Sequence, residues 1–271
     1  MDNKDNLRSY KDVEKLQIDL PDQEFQRYCD AKLLSAEDDV SFIKQHIYQG
    51  HPLNVCEIGC GNGKLLLAME RENMIANAVG YEVSDSRCKF ASKFLNTYES
   101  KKVQVVNKNF LDAPVEKYDL IILVDIVLQF ISPLYDQAEH DAMKWICDSL
   151  STGGHVMLEL EDYSNKINQI RDEGAYLFWE EFPKDDPFKY GLYKLDLDKD
   201  ENLIDHKIFV GRNQSMEDQF TSVIKSYTRE RMIELCKEYR MNAEIYPYYS
   251  EKNRTGAFQE HDLYRVLVRK L

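Results

Sequence analysis

The chain has 271 residues, with 35 Lys and Arg against 48 Asp and Glu, which gives a formal net charge of −13. Apolar residues make up 43% of the sequence and charged residues 31%. This is enough for a buried core beneath a well-solvated surface, and it excludes a chain that is disordered throughout. The acidic balance disfavours nucleic acids and anionic membranes as partners, because both carry negative charge.

The sequence contains no segment typical of a membrane span or a secretion signal. Its longest apolar run, 120–131, is interrupted by Asp125 and Gln129 and is too short to cross a bilayer. The first twenty residues alternate charges and lack the apolar centre of a signal peptide. We therefore expect a cytoplasmic protein whose partners include neither membrane nor nucleic acid.

The six cysteines are scattered along the chain and form no C-x-x-C pair. The Asp, Glu and His residues show no cluster with the spacing of metal ligands. We expect reduced, mostly buried thiols and no metal site.

Apolar periodicity divides the region from 35 to 160 into alternating helices and strands, which predicts a parallel sheet with helices on both faces. Ser35 with Asp38 forms a pattern similar to a capping box and predicts a helix over 35–48. Ser84 is the predicted N-cap of a later helix. The fourth strand is apolar almost throughout, which is typical of a central strand. The five strands are predicted at 53–58, 78–83, 103–106, 119–125 and 155–160.

The pattern changes after residue 187, where β-rich runs replace the alternation of helices and strands. Helical periodicity returns at Thr228, and two last strands, 243–248 and 263–269, are expected to close the first sheet. The β-rich runs predict a separate small antiparallel unit at 188–197, 203–212 and 219–227.

Glycines at every second position follow the first predicted strand, at Gly59, Gly61 and Gly63, and the strand ends in the acid Glu57. Such a turn lets a ligand approach the backbone closely and points helix N-terminal N–H groups at its anionic part. The pattern therefore indicates a nucleotide-type cofactor. The nicotinamide fingerprint would need a glycine where this chain has Lys64, and the P-loop spacing does not match either. We expect Lys64 to be an exposed residue of the first helical turn.

The string E-x-G-x-G-x-G over 57–63 resembles motif I of the class I S-adenosylmethionine-dependent methyltransferases. Glu82 ends the second strand, where that family has an acid that accepts both ribose hydroxyls. Asn109 and Phe110 follow the third strand, where the family has an Asp and an apolar residue around the adenine. The amide of Asn109 would here serve the adenine N6.

Two further segments are similar to the family in the same order, 118–125 to motif IV and 150–156 to the turn into the fifth strand. The resemblance implies S-adenosylmethionine as the cofactor, bound across the carboxyl ends of the strands. The implied cofactor-binding residues are Glu57, Gly59, Cys60, Gly61, Gly63, Glu82, Asn109, Phe110, Val124 and Asp125.

The fold that the resemblance implies is a Rossmann-like α/β fold with a seven-stranded, doubly wound sheet. Its strand order would be 3-2-1-4-5-7-6, with the last strand antiparallel, and a small antiparallel β cap would be added. The chain would then divide into an N-terminal segment over the cofactor site (1–34), a methyltransferase core (35–164), a substrate-cap insertion (165–227) and the C-terminal part of the core (228–271).

Asp125 and Glu159 end the fourth and fifth predicted strands and are the candidates for a catalytic role. Asp125 is equally well explained as the cap of the next helix or as a cofactor ligand alone. Glu159 and Glu161 are equally well explained as a solvated strand end. His155 begins the fifth strand, at the end of the sheet opposite the cofactor, so we interpret it as structural. The substrate-binding candidates are Gln129, Glu159, Tyr163, Trp179 and Tyr193.

The hypothesis favoured by these patterns is a methyltransferase that acts on a nitrogen or oxygen atom of a small polar metabolite. The predicted cap is similar to that of bacterial small-molecule methyltransferases, including those that act on amines and amino sugars. A non-catalytic cofactor-binding subunit is the main alternative, and a nicotinamide oxidoreductase is a distant one. The [DN]-P-P-[YF] motif of enzymes that methylate nucleic-acid bases is absent from the sequence. The sequence does not decide between a monomer and a homodimer.

Overall fold

Two β-sheets organise the residues that the computed structural model describes, which are 14–182, 184, 188–212, 216–248 and 262–270. The α-helices are α1 (Lys15–Ile18), α2 (Asp22–Ser35), α3 (Glu37–His46), α4 (Lys64–Arg71), α5 (Asp85–Thr97), α6 (Val127–Ile131), α7 (Ala138–Ser149), α8 (Ser164–Glu173) and α9 (Arg229–Glu238). The strands are β1 (Leu53–Ile58), β2 (Ile75–Glu82), β3 (Val103–Asn107), β4 (Tyr118–Leu123), β5 (Leu150–Glu161), β6 (Tyr176–Glu181), β7 (Phe188–Leu197), β8 (Leu203–Gly211), β9 (Met216–Ile224), β10 (Met241–Pro247) and β11 (Leu263–Lys270).

The larger sheet has seven strands in the order β3-β2-β1-β4-β5-β11-β10. The first five are parallel, and β11 runs antiparallel to both β5 and β10. The predicted Rossmann-like order and the antiparallel last strand are therefore confirmed. Because parallel strands point the same way, the ends of β1, β2, β3 and β4 lie at one edge of this sheet.

Strand β4 lies at the centre of this sheet, and its last four residues, 120–123, are fully buried. Leu120 and Ile122 pack into the core on one face, with α3 and α4. Ile121 and Leu123 pack on the other face, with α7 and α9. This two-sided cover explains the apolar run that the sequence shows at a position where an exposed strand would alternate.

The smaller sheet is antiparallel, in the order β6-β7-β8-β9. Its last three strands correspond to the three predicted β-rich runs, and the structure adds β6, which the sequence did not reveal. In β6 the apolar residues do not alternate with polar ones, because Leu177 and Trp179 are exposed while Tyr176 and Phe178 pack against the core between α8 and the smaller sheet. The period-2 signal of a half-buried strand is therefore missing.

The predicted capping box at Ser35 is wrong. Ser35 is the last residue of α2, where its hydroxyl donates to the carbonyl oxygen of Lys32 at 2.7 Å, and α3 begins at Glu37. Val40 and Ile43 of α3 are buried against residues of β1 and β4. The N-cap at Ser84 is confirmed, since its hydroxyl accepts from the N–H of Arg87. Thr228 caps α9 in the same way, by accepting from the N–H of Arg231.

Helices α1 and α2 belong to the N-terminal segment, of which residues 1–13 lie outside the described residues. Phe25 and Cys29 of α2 are buried against Phe90 and Phe94 of α5. This packing fixes α2 beside the edge of the sheet where β1 and β2 end. Among the described helices, none has the length and apolar character that crossing a membrane requires.

The two tryptophans of the chain lie in opposite environments. Trp145 is 6% exposed and makes edge-to-face contacts with Tyr81 and Phe110, at centroid distances of 6.2 and 5.2 Å. Trp179 is 64% exposed on the smaller sheet.

We expect Trp145→Ala to lower the free energy of unfolding by about 3–5 kcal/mol, because it leaves a large cavity in the core. Trp179→Ala should change it by about 0.5 kcal/mol or less. Urea denaturation of both variants measures the difference, and equal losses would contradict this packing.

Candidate functional site

A cavity of about 250 Å³ lies at the carboxyl ends of β1, β2 and β4. Its floor is the glycine turn after β1, and its sides come from the ends of the neighbouring strands. The residues from the N-terminal segment that line it are Glu14 and Lys32. It is the place where the general rule for open α/β sheets puts a ligand.

The floor of the cavity depends on three glycines in left-handed backbone, Gly59 (φ 68°), Gly61 (φ 55°) and Gly63 (φ 75°). A Cβ atom on Gly59 would lie 2.7 Å from Cγ2 of Val127, closer than real Cβ atoms approach. Any other residue at this position would therefore meet both backbone strain and a clash. Gly63 is also the N-cap of α4.

Glu82 ties two strand ends together through its carboxylate. Oε2 accepts from the N–H of Gly61 at 2.8 Å, and Oε1 accepts from the N–H groups of Val83 and Ser84, each at 2.8 Å. The side chain is buried and lines the cavity. A carboxylate offers about four lone-pair directions, so capacity for another donor remains.

Asn109 and Phe110 line the cavity beyond β3. Oδ1 of Asn109 accepts from the N–H of Leu111 at 3.1 Å and so caps a short 3-10 turn, Phe110–Asp112. The ring of Phe110 is buried against Trp145. Together with Leu111 and Val83 these residues give this end of the cavity an apolar wall beside the amide group of Asn109.

Glu57 and Cys60 lie at the junction of β1 and the glycine turn, and both are buried. Oε2 of Glu57 has no hydrogen-bond partner among the described residues, although the side chain lines the cavity. Burial raises the pKa of Glu57 to about 8. The thiol of Cys60 occupies the space that a Cβ on Gly80 would fill, at 2.4 Å.

Lys64 was expected to be exposed, and this expectation is wrong. Its side chain is largely covered and lines the cavity, with Nζ 3.9 Å from Oδ2 of Asp125. The proximity of Lys64 lowers the pKa of Asp125, and Asp125 in turn raises the pKa of Lys64. The sequence places Lys64 directly after Gly63, as the first residue of α4. In the structure this position faces Asp125, at the end of β4.

Glu14 is another lining residue that the sequence did not reveal. Its Oε1 accepts from Nδ2 of Asn62 at 2.6 Å and lies 3.9 Å from Nζ of Lys32. This contact connects the N-terminal segment to the glycine turn across 48 residues of sequence. Only the folded arrangement brings the two segments together, so no local pattern could have identified Glu14.

Val124 and Asp125 line the cavity where β4 ends. The side chain of Asp125 is 78% exposed, so it faces the open part of the site. Asp125 is not the cap of the next helix, because the N-cap of α6 is Ile126. Both Asp125 (φ 54°) and Ile126 (φ 55°) have left-handed backbone, which is unusual for residues other than glycine.

The predicted substrate-binding residues are not brought together around the cavity. In the described part of the chain none of the five lines it, whereas Phe130 does. Gln129 is buried, and its amide nitrogen donates to the carbonyl oxygens of Glu161 and Lys225. A substrate-binding role for these five residues stays a prediction.

Tyr163, Trp179 and Tyr193 lie in or beside the smaller sheet. Tyr163 is buried in the apolar core between α8 and this sheet, and Trp179 faces outward on β6. The ring of Tyr193 stacks on Phe178 with a centroid distance of 4.5 Å, and its hydroxyl donates to Glu180. The catalytic candidate Glu159 is buried beside Arg265 and not solvated, so the interpretation as a solvated strand end is wrong.

Within the described ranges, no group of three or more His, Cys, Asp or Glu side chains could hold a metal ion.

The buried carboxyl of Glu57 should affect stability in a pH-dependent way. The pKa of Glu57 is about 8 in the folded chain against an ordinary 4.5, so the folded state keeps its proton while the unfolded state loses it. The free energy of unfolding should therefore fall as pH rises from about 5 to 8. The side chain of Glu57→Gln cannot ionise. The free energy of unfolding of this variant, relative to that of the wild type, should therefore increase by on the order of 2–4 kcal/mol over that range.

Urea denaturation at several pH values measures this difference, and the contributions of other titrating groups cancel between the two proteins. Glu24→Gln, at an exposed position on α2, is the matched control and should run parallel to the wild type. Parallel curves for Glu57→Gln would show that this carboxyl does not hold its proton.

Comparison with known proteins agrees with the geometry of the cavity. A family model described as "Methyltransferase domain" matches residues 23–266. No curated protein matches the chain in sequence.

Several solved structures share the fold at low sequence identity. An S-adenosylmethionine-dependent methyltransferase from Clostridium acetobutylicum is 15% identical, with 96% of each chain covered and a TM-score of 0.64. The CcbJ methyltransferase from Streptomyces caelestis is 14% identical, with 87% of this chain and 89% of the other covered and a TM-score of 0.67. SAM-bound CalS10, an amino pentose methyltransferase from Micromonospora echinaspora, is 12% identical, with 89% and 92% covered and a TM-score of 0.60. Because the family model spans most of the sequence, this chain belongs to the methyltransferase domain family and has the fold of class I S-adenosylmethionine-dependent methyltransferases.

Proposed function

We propose that this protein transfers a methyl group from S-adenosylmethionine to a nitrogen or oxygen atom of a small polar metabolite. The observation that carries the proposal is the cavity at the strand ends, with its glycine floor, the Glu82 carboxylate and the charged pair Lys64–Asp125. An apolar end and a charged end in one cavity match a ligand that has a nucleoside at one end and an amino acid at the other.

The residues present fit the two ends of the cofactor separately. At the nucleoside end, Glu82 retains capacity to accept from one ribose hydroxyl, and Phe110 and Leu111 supply an apolar surface for the adenine. Oδ1 of Asn109 already accepts one bond within the chain, so it has one lone pair left for the adenine N6. Donors and acceptors are therefore available where the motif resemblance expects them.

At the amino-acid end, Lys64 would bind the carboxylate of the cofactor. Glu57, with an oxygen that lacks a partner in the described structure, and Asp125 would receive the ammonium. An ammonium beside Glu57 favours the ionised carboxylate, so binding should release the proton that burial holds there.

S-adenosylmethionine supplies an electrophilic methyl group on a sulfonium. The tasks left to the protein are alignment of the acceptor and exclusion of water. Val127, Phe130 and Ile131 line one wall of the cavity with apolar atoms, which disfavours water there. An amine acceptor needs only to be neutral, and Asp125 faces the open side, where it could accept a proton or a hydrogen bond.

The proposed methyl acceptor is a small metabolite, and an amine is favoured. The neighbour CalS10 is described as an amino pentose methyltransferase, and a carboxylate at the open side of the cavity suits a cationic or amine ligand. We assign the insertion 165–227 as the cap over the acceptor and the segment 1–34 as the cover of the cofactor. A cytoplasmic location follows from such a substrate.

The cofactor assignment predicts that Glu82→Ala weakens binding of S-adenosylmethionine and S-adenosylhomocysteine by at least about 100-fold. The change removes both the acceptor for the ribose and the acceptor for the N–H of Gly61. Gly61→Arg should abolish binding, because its side chain would fill the turn. Calorimetry measures all affinities, with Glu24→Ala as an exposed control that should bind like the wild type. Wild-type binding of only NAD(P)H would overturn the assignment in favour of an oxidoreductase.

The catalytic part of the proposal has a separate test. We expect the protein to move a labelled methyl group from S-adenosylmethionine to a member of a pool of small amines, amino sugars and hydroxylated metabolites. Identification of the labelled product decides between nitrogen and oxygen. Tight cofactor binding with no transfer to any pool would favour the non-catalytic subunit.

A further inference from the structure

Three buried ionisable side chains meet beneath the turn that follows β4. Nε of Arg265 donates to Oε1 of Glu159 at 2.8 Å, and Nη2 donates to Oδ1 of Asp39. Arg265 and Glu159 face each other across β11 and β5, and Asp39 comes from α3. All three side chains are buried, and none lines the cavity in the described structure.

The guanidinium of Arg265 is also enclosed by aromatic rings. Its carbon lies 3.9 Å from the ring centre of Tyr248 and 5.0 Å from that of Phe42. This enclosure and the two carboxyl partners satisfy a cation that water cannot reach. The cluster is therefore a rigid feature at the junction of α3, β5 and β11.

The cluster has two carboxyl groups for one cation. Burial raises the pKa of both Asp39 and Glu159, and the charge of Asp39 raises that of Glu159 further, whereas Arg265 lowers both. The charged groups that face this pair from neighbouring elements are Arg265, Asp125 and Lys64.

Glu159 also contacts the turn that carries Asp125. The backbone N–H of Asp125 donates to Oε2 of Glu159 at 3.3 Å. The turn holds Asp125 and the β-branched Ile126 in left-handed backbone, a conformation that persists only where surrounding structure enforces it. The same turn places the side chain of Val127 against Gly59.

We propose that Glu159 is a positioning residue, anchored by Asp39 and Arg265, that holds the turn 125–126 so that Asp125 faces Lys64 and the cofactor. This inference rests on the proposed function, because it assigns a task to a site described there. It replaces a direct catalytic role for Glu159 with an action through the backbone of Asp125.

The variant Glu159→Gln separates the anchor from the turn. The amide oxygen can accept from Arg265 in place of Oε1, which puts the amide nitrogen where Oε2 stood. The N–H of Asp125 then faces a donor and loses its acceptor. We expect the variant to fold, the amide hydrogen of Asp125 to exchange at least about 10-fold faster, and S-adenosylhomocysteine to bind about 10-fold more weakly.

Glu161→Gln is the matched control. Glu161 lies on the same strand, is equally buried and pairs with Nζ of Lys166 at 2.5 Å, with no recorded contact to Asp125 in the described structure. Its loss should leave the exchange of the Asp125 amide and the cofactor affinity unchanged, even if it lowers stability. A purely structural role of Glu159 would make the two variants alike.

A double-mutant cycle with Asp125→Ala tests the route of the effect. Since Glu159 acts through Asp125, Glu159→Gln should cost about 10-fold in affinity in the wild type and less than about 2-fold in Asp125→Ala. Equal losses in both backgrounds would overturn the proposal. Absence of S-adenosylhomocysteine binding by the wild type would instead overturn the proposed function.

Hydrogen exchange keeps the inference testable without cofactor and without a folded variant. In the wild type, the amide of Asp125 should exchange at least about 100-fold slower than an open-chain amide, although its side chain is exposed. Free exchange at this amide would overturn the inference whatever the protein binds.

Discussion

The hydrogen bond from the N–H of Gly61 to Glu82 joins the ends of β1 and β2, and the rest of the site depends on it. Three left-handed glycines turn the chain so that this N–H can reach the carboxylate. The same turn directs α4 away from the strand and leaves space for Val127 against Gly59. One carboxylate thus determines the shape of the cavity floor as well as its polarity.

The other constraint is the scarcity of water around the charges. Glu57, Glu159 and Asp39 are carboxyls whose pKa values rise because of burial, whereas Asp125 faces the open cavity and is kept ionised by Lys64. Acids a short distance apart therefore differ in protonation because their surroundings differ. Lys64 and Asp125 are therefore charged at the open side of the cavity, whereas burial favours the neutral forms of Glu57 and Glu159.

Most of the fold could be predicted from the sequence, because its signals are local. The apolar run of β4, the cap at Ser84 and the alternating glycines each depend on neighbours in the chain. The capping box predicted at Ser35 was wrong because a serine hydroxyl can donate to a carbonyl oxygen in the last turn of a helix as readily as it can cap the start of one. Strand β6 was missed because its exposed face is apolar, which removes the alternation that a strand normally shows.

The site was predictable only where it follows a motif. The contacts of Glu14 with Asn62 and of Glu159 with Arg265 join residues 48 and 106 positions apart, and only the folded sheet brings them together. Lys64 could be located in the sequence, but its direction depends on the left-handed glycine before it. The acceptor candidates do not line the cavity, because position in the sequence alone does not decide whether a side chain enters a cavity or the core.

Burial divides the six thiols into two groups of different reactivity. Cys29, Cys56, Cys60 and Cys236 are buried, and burial raises their pKa values, so alkylating reagents meet thiols that are both shielded and protonated. Cys88 and Cys147 are partly accessible. Cys88 lies beside the carbonyl of Glu82, whereas Cys147 lies on α7, near Tyr239. A fluorophore attached at Cys88 would therefore lie beside Glu82, which lines the cavity, and one at Cys147 would provide a reference on the same molecule.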